Sequence, residues 1–161
     1  MGLAVAPRSS MSEAPPDVRY KRSRFSTRLP KERHYTAGHL WLRGGPENRW
    51  QIGITKFALR MLGDPVEIDF EVKPGDKLET GQVIGWVEGF KAVSDLFAPL
   101  PGTFLEANPA LDEDIELIQK SLYDRGWLYS IQGEPGVDCF DVQGYMDHLD
   151  ATIDRMLGQE S

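Results

Sequence analysis

The chain has 161 residues, 40% of them apolar, and a formal net charge of -7, which suits one domain with tails and is too little for two separate cores. The acidity is spread along the chain, so there is no basic face of the kind a nucleic acid needs. A single cysteine, Cys139, cannot close an internal disulfide, and no apolar run approaches the roughly 20 residues of a membrane span.

Residues 1–30 are rich in Pro, Ser and Arg, lack an apolar period and read as a flexible leader. Their basic cluster, 19-RYKRSRFSTR-28, reads as a solvated, partly disordered arm. Next, 38-GHLWLR-43 and 49-RWQIGIT-55 alternate apolar with polar around the turn-forming 44-GGPEN-48, which predicts a hairpin. Thr55 is placed to cap a short helix over 56–62, and Gly63 to end it. The clearest strand follows at 65-PVEIDFEV-72, where Val66, Ile68, Phe70 and Val72 recur at period two. Strands are expected at 82–87, 94–98, 103–107 and 127–132, with Trp41, Trp50, Trp86 and Trp127 packed in strands. Asn108-Pro109 predicts the start of a helix over 110–121. A last helix carries Val142, Tyr145, Met146, Leu149, Ile153, Met156 and Leu157 at helical spacing, a stripe that suits packing on the sheet. The sum is a mainly β fold: a small sandwich or half-barrel with helical attachments.

Self-sufficient chemistry is hard to place. His34, His39 and His148 are far apart in sequence and show no zinc-ligand spacing. There is no phosphate-cradling Gly-x-x-x-x-Gly-Lys and no Gly-x-Ser-x-Gly elbow. The acidic run 112-DEDIE-116 suits a helix first turn and lacks the glycine and alternation of a calcium loop. Asp138 and Asp141 flank Cys139 and would raise its pKa, against a nucleophilic role.

One lysine stands out. In 85-GWVEGFKAVSDLFAPLPG-102, Lys91 falls between two strand-like runs and therefore at a hairpin tip. A tip lysine is either a plain solvated turn residue or an attachment point that other enzymes reach. It is badly placed for a base, which needs a desolvated pocket to depress its pKa.

The segments 34-HYTAGHLWL-42, 52-IGITKFALRMLGD-64, 86-WVEGFKAVSDLFAPLPGTFLEANPAL-111 and 123-YDRGWLYSI-131 resemble the H-protein family of the glycine cleavage system, which are lipoyl carriers. The resemblance implies a lipoyl-domain-like flattened β-barrel or sandwich (a barrel-sandwich hybrid) with short helices and a C-terminal helix. It matches Lys91 to the lipoylated lysine and sets Glu88 and Asp95 beside it as cofactor-site residues. It implies covalently bound lipoate and a non-catalytic carrier subunit. The implied partners are a pyridoxal-phosphate glycine decarboxylase (P protein), an aminomethyltransferase (T protein), a dihydrolipoyl dehydrogenase (L protein) and the lipoylation enzymes. No nucleic acid, membrane or metal is expected.

The chain also departs from that pattern. Leu40 stands where many H proteins have glutamate, Gly89 where serine is usual before the lysine-bearing turn, and Lys56 where aspartate is usual. These departures leave open an H-like carrier serving another pathway, such as sulfur oxidation or lipoyl relay. The expected organisation is a leader at 1–30, a carrier domain at 31–133 and a C-terminal helical extension at 134–161 packed on it. The chain is expected to act as a monomer in a bacterial cytoplasm or, less in keeping with its leader, a mitochondrial matrix.

Overall fold

The computed structural model describes residues 16–134 and 138–160. The expectation for residues 1–15 lies outside them.

Alternating inward and outward side chains build the centre of the molecule. One sheet has six strands in the order β3-β4-β5-β11-β10-β7: His34–Tyr35 (β3), Leu40–Gly44 (β4), Arg49–Ile54 (β5), Lys77–Leu78 (β7), Gly102–Ala107 (β10) and Tyr129–Gly133 (β11). A second sheet has three strands in the order β6-β8-β9: Pro65–Phe70 (β6), Val83–Gly89 (β8) and Val93–Phe97 (β9). The paired strands are antiparallel throughout. Leu42, Ile52, Phe104 and Ile131 of the large sheet share one core with Ile84, Val87 and Leu96 of the small one. Each such side chain contributes about 1.5–3 kcal/mol on burial. The expected mainly β sandwich, with short helices and a C-terminal helix, is what forms.

The predicted helix over 56–62 appears as α1, Lys56–Leu62, with Thr55 accepting from the Ala58 N–H and Gly63 at its end. The helix expected over 110–121 is instead two single turns, α2 (Ala110–Glu113) and α3 (Leu117–Lys120). Asp114 breaks it: its φ is -151°, and its Oδ1 takes the Glu116 N–H at 3.1 Å in place of a helical bond. Asn108 acts as expected at the helix start, its Oδ1 accepting from Ala110 N at 3.0 Å. Its amide nitrogen also donates to the Arg125 and Trp127 carbonyls, and Trp127 lies just outside strand β11.

Residues 17–30 are not a flexible arm. They form an antiparallel hairpin, Asp17–Arg22 (β1) and Phe25–Pro30 (β2). Tyr20, Phe25 and Leu29 turn inward and are buried, while Arg19, Lys21 and Arg28 stay in water. Burial of the inward set orders the hairpin in spite of its charge.

The inward set meets the last helix, α4, Val142–Glu160. Tyr145, Leu149 and Ile153 of α4 form a second core with Tyr20, Phe25, Leu29, Tyr35, Trp41 and Phe57. Tyr35 and Tyr145 stack with ring centroids 4.8 Å apart and planes 7° apart. Polar contacts close the rim: Tyr20 Oη donates to Asp150 Oδ1 at 2.8 Å, and Arg22 reaches Asp154 at 2.7 Å. Hairpin β1–β2 and α4 thus share one packed layer.

Candidate functional site: a lysine at a hairpin tip beside an apolar cavity

Strands β8 and β9 pair in register, Glu88 opposite Val93, and Gly89 N–H donates to Ala92 O at 2.8 Å. That bond makes Phe90 and Lys91 the tip. The tip is anchored from below. Phe90 N–H donates to Asp64 O at 2.9 Å, and Lys91 N–H donates to Leu62 O at 2.8 Å. Leu62 closes α1, where the last helical carbonyls lack intrahelical partners and the helix dipole favours donors and cations. The Lys91 Nζ takes a second such carbonyl, Arg60 O, at 3.0 Å. Two glycines permit this approach. A Cβ at Gly89 would stand 2.3 Å from Leu62 O, and one at Gly63, whose φ is +80°, would stand 2.9 Å from Lys91 Cγ.

Lys91 itself is exposed, and among the described residues it forms no ion pair. Phe90 beside it is 85% exposed and Val93 63%. The Lys91 amine is therefore held on a fixed mount, with a single carbonyl contact.

A cavity of about 420 Å³ opens beside the tip, with Ala92 on its wall. Leu40, Ile54, Phe57, Met61 and Leu96 make most of its surface apolar. Its size falls in the range of about 300–1,000 Å³ usual for small-molecule sites. Lys91 does not line this cavity; its side chain lies in a separate depression with Lys56, Arg60 and Gly63.

The predicted residues are brought together unevenly. Asp95, on β9, lines the apolar cavity and is exposed. Glu88 sits half-buried in the row Glu67–Glu88–Val93 and lines neither hollow. Leu40 contributes an apolar wall. Asp138, which sequence reasoning weighed only as a neighbour of Cys139, also lines the cavity. The Cys139 thiol is held above its ordinary pKa, first by burial and then by Asp138, in line with a passive role.

The histidines are closer than their numbering suggests. His39 and His148 have ring centroids 5.4 Å apart. His39 Nδ1 lies 2.8 Å from Tyr145 Oη, which lies 2.7 Å from Thr55 Oγ1. Burial, with a smaller push from His148, lowers the His39 pKa to about 4, so the ring is neutral near pH 7. The signal that could have found this group was the helical stripe itself, which puts Tyr145 and His148 of α4 over residues 35–39. Among the described residues no three His, Cys, Asp or Glu side chains form a metal-binding group.

A family model described as Glycine cleavage H-protein matches residues 33–143. The chain belongs to this family. The glycine cleavage system H protein of Bacteroides fragilis is 39% identical over 120 residues, covering 73% of this chain and 94% of that one. The one from Mycobacterium tuberculosis is 37% identical over 126 residues, covering 78% and 90%. The crystal structure of an H protein from Mycobacterium marinum aligns with a TM-score of 0.67 at 35% identity, covering 74% of this chain and 97% of that one. Hairpin β1–β2 and nearly all of α4 lie outside residues 33–143. No helix among the described residues is long and apolar enough to cross a membrane.

Proposed function

We propose that this chain is the lipoyl-bearing shuttle of a glycine cleavage system, with lipoate joined by an amide to Lys91. The observation that carries the reading is the tip: an exposed amine inside the family match, mounted on α1 by backbone bonds at both Phe90 and Lys91. Lipoate supplies the thiol–disulfide chemistry that takes up an aminomethyl group and hands it on.

The residues present fit such a group. The Lys91 amine is reachable, and the amide N–H left after modification can keep the bond to Arg60 O. Ala92 connects the tip to an apolar cavity that can shelter the end of an arm from water. Asp95, on the cavity wall, is a carboxylate for a cationic or hydrogen-bonding amine. The protein makes and breaks no bonds. Holding a carried group on a fixed mount raises its effective concentration at each partner, namely the glycine decarboxylase, the aminomethyltransferase and the dihydrolipoyl dehydrogenase. The net charge of -7 favours partners with basic docking surfaces, through steering.

Leu40 on the cavity wall supports one other reading, a lipoyl carrier for different chemistry, because it removes a polar partner from the place where an amine would lodge. Reconstitution separates the two. Lipoylated protein mixed with glycine and a glycine decarboxylase should support exchange of carbon dioxide into the glycine carboxyl. A lipoylated but inactive protein would favour the other carrier role.

A further inference from the structure

The buried polar group formed by Thr55, Tyr145 and His39 has one proton arrangement that leaves nothing orphaned. Thr55 is fully buried, and its Oγ1 already accepts the Ala58 N–H. Its own hydroxyl hydrogen needs an acceptor, and Tyr145 Oη at 2.7 Å is the available one. The Tyr145 hydroxyl hydrogen then has a single destination, His39 Nδ1 at 2.8 Å. The reverse order would strand the Thr55 hydrogen in the core, at a cost of about 1–3 kcal/mol. Neutral His39 therefore accepts at Nδ1 and carries its proton on Nε2.

That Nε2–H has no partner among the described residues. It is not sealed in either, because Arg33 Nε is the single buried side-chain nitrogen or oxygen left unpaired among those residues. His39 lines the apolar cavity, which puts a ligand-sized space next to this donor-bearing ring. The backbone here is held in an unusual conformation. His39 has φ +69°, kept there by bonds from its N–H to Thr36 O and from Thr55 N–H to its own carbonyl, each 3.0 Å long.

We propose that His39 is a positioning residue for the carried amine: its Nε2–H donates to the nitrogen lone pair of an aminomethyl group lodged in the cavity. This rests on the carrier reading given above. A thioether-linked aminomethyl group decays when the nitrogen lone pair forms a carbon–nitrogen double bond as the carbon–sulfur bond breaks and sulfur leaves with that bonding pair. Water then adds at carbon, yielding formaldehyde, ammonia and the free thiol. A donor on the lone pair withholds the electrons that start this loss. Tyr145, on α4, acts through His39 by fixing which nitrogen bears the proton.

Two readouts test it on the full chain. Nitrogen-15 NMR of the unloaded protein should show His39 as the Nε2–H tautomer, and Tyr145→Phe, which keeps the ring that stacks on Tyr35, should shift that population toward Nδ1–H. Protein loaded by a glycine decarboxylase and followed by intact mass should lose its adduct several-fold faster in His39→Phe and Tyr145→Phe. His39→Gln, which retains an N–H donor at similar reach, should restore most of the lifetime. An Nδ1–H tautomer in the wild type, or equal decay in all variants, overturns the proposal. Wild-type protein that is lipoylated but takes up no adduct would instead overturn the carrier reading, and the NMR result would still decide the tautomer.

Discussion

Two hairpins in this molecule invite comparison. Hairpin β8–β9 pushes Phe90 and Lys91 into water above the end of α1. Hairpin β1–β2 turns Tyr20, Phe25 and Leu29 inward and closes a core with α4. The first is a mount, held by backbone hydrogen bonds and indifferent to its own tip side chains. The second covers α4 and is held by side chains. A substitution at the tip of the one should therefore change what the protein carries, and a substitution in the core under the other should change whether it folds.

The largest expected effect lies in the core between hairpin β1–β2 and α4. Leu149→Ala removes a fully buried side chain of the second core and should cost about 2–5 kcal/mol in urea denaturation. A loss under about 1 kcal/mol would mean that the layer is not part of the cooperative unit. Beside that core, His39 should make stability sensitive to acid. His39 titrates at about 4 in the fold against an ordinary value of 6.5, so folding favours its neutral form. That contribution is complete above pH 6.5 and is lost as pH falls toward 4. His39→Gln should flatten this limb of the stability profile, measured as melting temperature against pH; an unchanged limb would place the acid sensitivity elsewhere.

At the mount the expected costs are smaller. Gly63→Ala puts a Cβ into the left-handed region 2.9 Å from Lys91 Cγ. It should cost about 1–2 kcal/mol and displace the tip, seen as slower lipoylation by a purified ligase. Smallest of all, Lys91→Ala should alter stability by no more than about 0.5 kcal/mol, because an exposed side chain buries little. A large drop in melting temperature would make the lysine structural and erase the contrast between the hairpins.

The same contrast explains what the sequence disclosed. Period-two alternation made β6 and the lysine-bearing hairpin legible, and Thr55 with Gly63 marked both ends of α1. Hairpin β1–β2 alternates as well, with Val18 and Tyr20 on one face, yet Arg19, Lys21, Arg22 and Arg24 hid the pattern under charge. Its apolar partners lie on α4, more than a hundred residues away, as the Tyr20–Asp150 bond shows. The helix break at Asp114 depends on one side-chain bond that competes with the backbone, and periodicity does not report it. The tip position of Lys91 and the strand position of Asp95 could be read from the motif. The Thr55–Tyr145–His39 group could not, because three separate elements contribute to it.

The decisive measurement is site-resolved mass spectrometry of the purified 161-residue chain after treatment with a lipoate–protein ligase. A single lipoyl amide is expected on Lys91, and none on the Lys91→Ala variant. A lipoyl group on another lysine, or none on a folded wild-type chain under an active ligase, would contradict it.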